Sequence, residues 1–153
     1  MTTTNARIAY RPGAAIALSA TAVAVTAGVA NALISLGASA LGAEPTGGLM
    51  APAYLSLTVV AAICGAVGWH LINRSAAHPE SVMRLLVPLI LVVSFIPDVL
   101  VGLWSGWLTA GALMLMHVAT ITIAVVVYRR FMPFPAARES EAALTHAGSA
   151  RQA

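Results

Sequence analysis

The run from Leu85 to Leu103 constrains this chain more than any other stretch, because it is apolar at almost every position and is long enough to cross a bilayer. A helix needs roughly 20 residues to span the hydrocarbon of a membrane. The run nevertheless contains one carboxylate, Asp98, directly after Pro97, and no other long apolar run contains an acidic residue. A charge at the bilayer centre costs roughly 2.5–3.5 kcal/mol on insertion scales. We therefore expect Asp98 to face neighbouring helices, to find a partner, or to stay protonated.

The composition of the whole chain places it in the membrane class. Of its 153 residues, 59% are hydrophobic and 8% are charged, whereas soluble domains carry about 25% charged residues. All eight basic residues are arginines that flank apolar runs, so they do not form the clustered basic face of a nucleic-acid-binding protein. We expect contact with the lipid bilayer and none with nucleic acid.

Four apolar runs predict an all-α bundle of four transmembrane helices. Proline and glycine mark the connections, as at Pro45, Gly47 and Gly48 in the first loop. The first run is much longer than the ~7–15 residues of a signal-peptide core, which favours a retained helix. The predicted helices cover residues 14–41, 50–72, 82–103 and 108–128, in a membrane domain at 14–131 between a polar lead at 1–13 and a flexible tail at 132–153.

Small side chains recur at helical spacing on the first two predicted helices. Small residues let helix backbones approach closely in lipid, so we expect these two faces to point inward or to contact partner proteins. Trp69 and His70, near the end of the second helix, suit a membrane–water interface. The two faces comprise Thr21, Ala24, Gly28, Asn31 and Ser35 on the first helix, and Thr58, Ala61, Gly65 and Gly68 on the second.

The distribution of arginine predicts the orientation of the chain in the membrane. Arginines occur in the N-terminal lead, around the middle loop and after the fourth helix, and none occurs in the first or third loop. Because cytoplasmic segments are enriched in Lys and Arg, both termini should be cytoplasmic in a multi-pass protein of the cell (inner) membrane. The residues are Arg7 and Arg11, then Arg74 and Arg84, then Arg129, Arg130, Arg138 and Arg151.

Three polar side chains could converge within the predicted bundle. At about 1.5 Å per residue, Asp98 lies roughly 20 Å and His117 roughly 15 Å from the cytoplasmic ends of their helices. Asn31 lies in the outer half of the first helix. The pattern is consistent with a ligand- or proton-binding site formed by the three residues, because acids within membranes are functional by default. The structural alternative is a buried pair of Asp98 with His117 or Asn31 that only fixes helix register.

Pro97 predicts a helix kink beside that acid. Proline cannot donate a backbone hydrogen bond, so the carbonyl of Val93 loses its partner. Ser94, one turn before Asp98, could satisfy such freed groups and completes the set of candidate site residues. The alternative is a tolerated kink without a function.

Metal, cofactor and hydrolase signatures are absent from the sequence. Cys64 is the single cysteine, and no cysteine–histidine zinc pattern exists. His117 has one suitably placed thioether, that of Met114, which is too few ligands for a copper(I) site. The chain contains no GxSxG, HExxH or phosphate-binding loop. We expect no metal or cofactor, and catalytic residues remain unassigned.

Two short segments carry a family resemblance. SFIPDV in the third helix and MHVAT in the fourth resemble segments of an uncharacterised family of small actinobacterial four-helix integral membrane proteins, a domain of unknown function. The resemblance covers about residues 14–131. It implies the four-helix architecture and an actinobacterial source, draws attention to Asp98 and His117, and implies no activity.

Three functions remain open. The first is binding or transport of a small ligand or proton at Asp98, His117 and Asn31, for which so short a chain would need to form a homo-oligomer. The second is an accessory or assembly subunit of a larger membrane complex. The third is an intramembrane enzyme acting on a lipid or isoprenoid, with Asp98 as general acid. The two non-enzymatic functions are favoured.

Overall fold

The computed structural model describes residues 12–44 and 47–134, and these form four α-helices. A 3₁₀ turn at Gly47–Leu49 lies between the first two. The predicted all-α four-helix bundle is confirmed, and the helix ends differ from prediction by at most three residues. The predicted lead up to Arg11 and the tail from Pro135 lie outside the described residues. The helices are α1 (Pro12–Ala40), α2 (Ala51–Ser75), α3 (Pro79–Ser105) and α4 (Trp107–Phe131).

All four helices are long and apolar enough to span a membrane. They contain 29, 25, 27 and 25 residues, and at about 1.5 Å per residue each exceeds the ~30 Å hydrocarbon thickness of a bilayer. Large apolar side chains cover their outer surfaces; Leu33, for example, is 64% exposed and Leu85 is 73% exposed. Such a surface is compatible with acyl chains rather than with water.

Glycine and proline determine where the helices end. After α1, Gly42 adopts a φ of 93°, and the amide of Ala43 donates to the carbonyl of Ala38 at 2.9 Å, as in a Schellman motif. Proline occurs in the first turn of α2 and of α3, where its missing N–H does little harm. A single residue, Gly106 with a φ of 88°, separates α3 from α4. Only glycine adopts this left-handed region without strain.

The helices are arranged in an arc rather than a closed square. Helix α1 packs along α2 and α4, and α4 also packs along α3. Helices α2 and α3 touch little, although only residues 76–78 connect them. The order across the bundle is therefore α2–α1–α4–α3, and a groove remains between the two outer helices.

The interior consists of two apolar clusters with polar side chains between them. On α1 the predicted face points inward at Gly28, Asn31 and Ser35, whereas Thr21 is exposed and Ala24 is half-buried. On α2 Thr58 is buried as predicted, but beyond it the buried face is shifted by one residue, so that Ala62 and Ala66 are buried. One cluster contains Val23, Ala27, Ala62, Ala66, Trp69, Met83, Tyr128 and Met132, and the other contains Ala38, Ala43, Leu49, Ala112, Leu113 and Met116.

Trp69 has a different role from the predicted one. It is 3% exposed and stacks on Phe134, with ring centroids 5.1 Å apart, instead of facing the membrane surface. Its indole Nε1 donates to the backbone carbonyl of Met132 at 3.0 Å. An indole satisfies its one donor wherever an acceptor is available, and here the end of α4 supplies it. The packed part of the chain thus extends past α4 to Phe134.

Candidate functional site: a buried aspartate–histidine pair

The α3–α4 hairpin brings Asp98 and His117 together. Asp98 lies eight residues before Gly106 and His117 eleven residues after it, so both lie roughly 12–17 Å from the same turn. Close packing near the turn holds the two helices in register, because a Cβ on Gly102 would lie only 3.1 Å from that of Ala110. Asp98 is 4% exposed and faces α4. Its Oδ2 atom is 2.9 Å from Nδ1 of His117.

The hydrogen bonding of this pair is incomplete. Nδ1 of His117 also lies 3.0 Å from the backbone carbonyl of Leu113, one turn earlier in α4. An imidazole nitrogen carries one proton at most, so Nδ1 cannot donate to both oxygens. Within the described part of the chain, Oδ2 of Asp98 is buried and has no hydrogen-bond donor in good geometry. Buried polar atoms are rarely left in this state. Among the described residues the amide oxygens of Asn31 and Asn73 share it, but those groups do not ionise, whereas the carboxyl of Asp98 does.

The two members of the pair differ in accessibility. The side chain of His117 is 37% exposed, against 5% for that of Asp98. Among the described residues, both polar contacts of the imidazole are made by Nδ1. The ring also meets Phe95 edge-on, with centroids 6.5 Å apart. The imidazole is therefore the partly exposed member of the pair.

Asn31 does not join the pair and instead links three helices. Its Nδ2 donates to Oγ1 of Thr58 on α2 at 2.9 Å and to Oγ1 of Thr120 on α4 at 3.1 Å. The hydroxyl of Thr58 donates in turn to the carbonyl of Tyr54. Because the Thr58 proton is committed to Tyr54, its oxygen acts as an acceptor toward the amide N–H of Asn31. Thr120 is three residues from His117, so the two polar groups are about 4.5 Å apart along α4.

Ser94 and Pro97 have local roles in α3. The helix continues through Pro97 and also through a second internal proline, Pro88. The Ser94 hydroxyl donates to the carbonyl of Leu91 at 2.7 Å rather than to Val93, whose carbonyl Pro97 leaves without its helical partner. Ser94 lies one turn from Asp98 on the same face, and it contributes to the polarity of this segment.

Sequence reasoning missed the partners of Asn31. Thr58 belonged to the predicted small-residue face, but its bond to Asn31 was not predicted, and Thr120 was not singled out. Their hydroxyls are ordinary in apolar helices, where each can bond to its own backbone. The available signal was helical spacing, because Thr120 follows His117 by three residues and shares its side of α4.

The described residues contain no group of three or more His, Cys, Asp or Glu side chains that could hold a metal ion. The polar groups nearest the pair are the amide of Asn31 and the hydroxyls of Thr58, Thr120 and Ser94. Together with the pair, these groups can exchange protons or bind a small polar ligand.

The fold and the site together define a class of protein. It has four apolar helices, each long enough to span a membrane, and a buried aspartate that contacts a histidine. Comparison of the chain with protein-family profiles, with curated proteins and with solved structures found no match. The family resemblance of the SFIPDV and MHVAT segments is thus not supported by an identified relative.

Proposed function

We propose that this is a small multi-pass membrane protein that binds or transfers a proton, or a small ligand with a proton, at the Asp98–His117 pair. One observation carries the proposal: Oδ2 of Asp98 is buried at 2.9 Å from His117 without a satisfied hydrogen bond. A buried carboxyl in this state is stabilised either by taking up a proton or by charging its imidazole neighbour. Proton gain or loss would therefore change the contacts of the pair.

The exposure of His117 supports a directional role. A proton would arrive at Nε2 of the accessible imidazole and leave it through Nδ1, the atom next to Asp98. The buried acid would then act as the proton store and the imidazole as its exchange group. Asn31 lies outside this exchange and stabilises the bundle through the two threonines. Ser94 and Pro97 lie within one turn of Asp98 on the same helix, and the Ser94 hydroxyl bonds to the carbonyl of Leu91.

Infrared difference spectroscopy of the purified protein in lipid tests the proposal. A pH step should produce the C=O band of a protonated carboxyl in a low-dielectric site, and Asp98→Asn should abolish that band. Asp98→Asn should also abolish any dye-detected proton flux into liposomes, and His117→Gln should slow the proton exchange of Asp98. The matched control is Thr26→Ala, which removes an exposed hydroxyl bonded to its own helix and should change neither signal.

Circular dichroism and size-exclusion profiles separate loss of function from loss of fold. A folded Asp98→Asn variant with an unchanged carboxyl band would show that Asp98 does not titrate, and the proposal would fail. The proposal would also fail if the carboxyl band titrated in the same way in the wild type, in Asp98→Asn and in His117→Gln.

The proposal includes an orientation and an assembly. Arginine placement supports cytoplasmic N- and C-termini in the inner membrane of a cell. Four helices arranged in an arc form a small enclosure, and a homo-oligomer or a partner membrane protein would complete a path across the bilayer. An actinobacterial source, suggested by the SFIPDV and MHVAT segments, belongs to the proposal on the same terms.

A further inference from the structure

The groove between α2 and α3 forms an apolar cavity in the described part of the protein. It measures about 370 Å³, runs over α4 and extends to Val23 of α1. Its lining is almost wholly apolar, with little polar surface apart from the edges of Thr120 and Tyr128. A volume of this size lies in the range of pockets that bind small molecules. Representative lining residues are Gly68, Ile72, Leu86, Ile90, Ile121 and Val125.

The small residues of α2 create this space. Three members of the predicted inward face, Ala61, Gly65 and Gly68, line the groove. Of these, Gly65 also packs against Tyr128 of α4, because a Cβ there would lie 2.9 Å from the Tyr128 hydroxyl. A Cβ on Gly68 would meet nothing within 4 Å. Small residues normally serve close helix contact in membranes. At Ala61 and Gly68 they instead border the open space of the groove.

One end of the groove has a positively charged rim. A smaller depression of about 170 Å³ shares Trp69, Met83, Val87 and Val125 with the groove and adds Arg84 of α3 and Arg129 of α4. The guanidinium of Arg129 lies 5.8 Å from the centre of the Phe134 ring. Among the described residues it has no carboxylate partner. Arg84 pairs with Glu80 at 3.3 Å, and both side chains of that pair are largely exposed, at 74% and 52%.

The dimensions of the groove match one leaflet of a bilayer. From Arg129 at the rim to Thr120 at the far end is nine residues of α4, or about 13–14 Å. Half of the ~30 Å hydrocarbon layer is about 15 Å. An acyl chain that enters between α2 and α3 would thus reach the middle of the membrane while its headgroup stays level with the arginines.

We propose that this groove is a binding site for an anionic glycerophospholipid. One acyl chain occupies the space between α2 and α3, and the phosphate contacts Arg129 and Arg84. Basic pockets between transmembrane helices bind anionic headgroups in this way. Binding requires that the phosphate compete with Glu80 for Arg84, so the pair of Glu80 and Arg84 sets the affinity. The site is separate from Asp98, and neither proposal depends on the other.

Native mass spectrometry of the delipidated full-length protein tests the headgroup. Phosphatidylglycerol and phosphatidylcholine with identical acyl chains are added, and the retained lipid is counted. Phosphatidylglycerol should be retained preferentially, and Arg129→Gln or Arg84→Gln should each reduce its retention by about fivefold, on the basis of the usual strength of one arginine near an anionic lipid. Glu80→Gln should act in the opposite sense and raise retention. Arg130→Gln, next to the rim but not in its lining, is the matched control and should have no effect.

A substitution that fills the groove tests the acyl chain. Gly68→Leu places a side chain in open space, so the protein should fold, and it should lose both lipids. Gly111→Leu also enters open space but lies on α4 outside the groove, and it should retain them. Cys64, the single cysteine of the chain, is exposed and lines the groove. Bound phosphatidylglycerol should slow its alkylation in the wild type and not in Gly68→Leu.

Equal retention of the two lipids, with no change in Arg129→Gln and Arg84→Gln, would overturn the headgroup assignment. Retention that survives Gly68→Leu, with Cys64 alkylated at an unchanged rate, would overturn the position of the acyl chain. Thermal unfolding of every variant in detergent establishes that the compared proteins are folded. None of these variants alters Asp98, so a negative result for the lipid site would not contradict the proposed function.

Discussion

At the scale of single residues, the interior of this protein is held by very few polar side chains. Asn31 bonds to two other helices at once, and Trp69 ties α2 to the end of α4. Lipid offers no competing water, so each such bond holds a specific helix arrangement. Their measured strength in membrane proteins is nevertheless modest, averaging about 0.6 kcal/mol and reaching about 1.7 kcal/mol.

Replacing Asn31 with alanine should destabilise the bundle by about 1–2 kcal/mol, because it removes two interhelical hydrogen bonds. Steric-trapping or denaturant unfolding in mixed micelles measures the change. Thr26→Ala removes a hydroxyl that bonds only to the backbone of its own helix, and it should stay within about 0.5 kcal/mol of the wild type. Equal stability of the two variants would show that the Asn31 bonds do not hold the helices together.

Substitutions at Trp69 should separate its hydrogen bond from its packing. Trp69→Phe loses the Nε1 bond to Met132 but keeps a ring against Phe134, for a cost of about 1 kcal/mol. Trp69→Ala loses the ring as well and should cost about 3–5 kcal/mol. Trp104, which is 79% exposed, offers the contrast, since Trp104→Ala should hardly change thermal unfolding in detergent. If Trp69→Ala changed thermal unfolding as little as Trp104→Ala, Trp69 would not be packed in the interior.

At the scale of elements, the α3–α4 hairpin determines the geometry of the site. Its turn is one glycine, and a second glycine, Gly102, lets α3 approach α4 closely. A Cβ at Gly102 would lie 2.9 Å from the ring of Trp107 and 3.1 Å from Ala110. The exposed indole can move aside, but Ala110 is fully buried on α4 and cannot.

Gly102→Leu should therefore destabilise the protein by about 1–3 kcal/mol, as overpacking does, and should separate Asp98 from His117. Gly111→Leu on the same hairpin is the comparison, because its new side chain meets open space and leucine is the better helix former. Unfolding in detergent and the carboxyl band of Asp98 report the two effects. An unperturbed band in a folded Gly102→Leu variant would mean that other contacts set the distance between the pair.

The helices themselves could be read from the sequence, whereas their rotation could not. Long apolar runs and their proline and glycine boundaries predicted the four helices to within three residues, because the bilayer fixes helix length. Which face of α2 points inward depended on the other helices. Of the predicted stripe Thr58 is buried, and Ala61, Gly65 and Gly68 miss the buried face by one residue. The contact of Asp98 with His117 was among the predicted alternatives, because both residues are costly in lipid and lie at similar depth.

At the scale of the whole molecule, the orientation in the membrane remains a prediction from the arginines. Fusions of a cytoplasm-active fluorescent protein and of a periplasm-active phosphatase after Phe134 and in the α3–α4 turn test it. The fluorescent fusion after Phe134 should be bright, and the phosphatase should be active only in the turn. The reverse pattern would place the termini outside. The groove would then lie in the outer leaflet, with its arginines at the outer surface.

The one-residue connection between α3 and α4 also bears on how the chain enters the membrane during synthesis. An isolated α3 would have to partition into lipid with an unaccompanied acid, at a cost of roughly 2.5–3.5 kcal/mol for a charged side chain. Because Gly106 is the only residue between them, we expect α3 and α4 to enter the membrane together as a hairpin. The imidazole of α4 then enters the hydrocarbon layer together with the carboxyl of α3. Pairing of the two groups lowers the free-energy cost of inserting the acid.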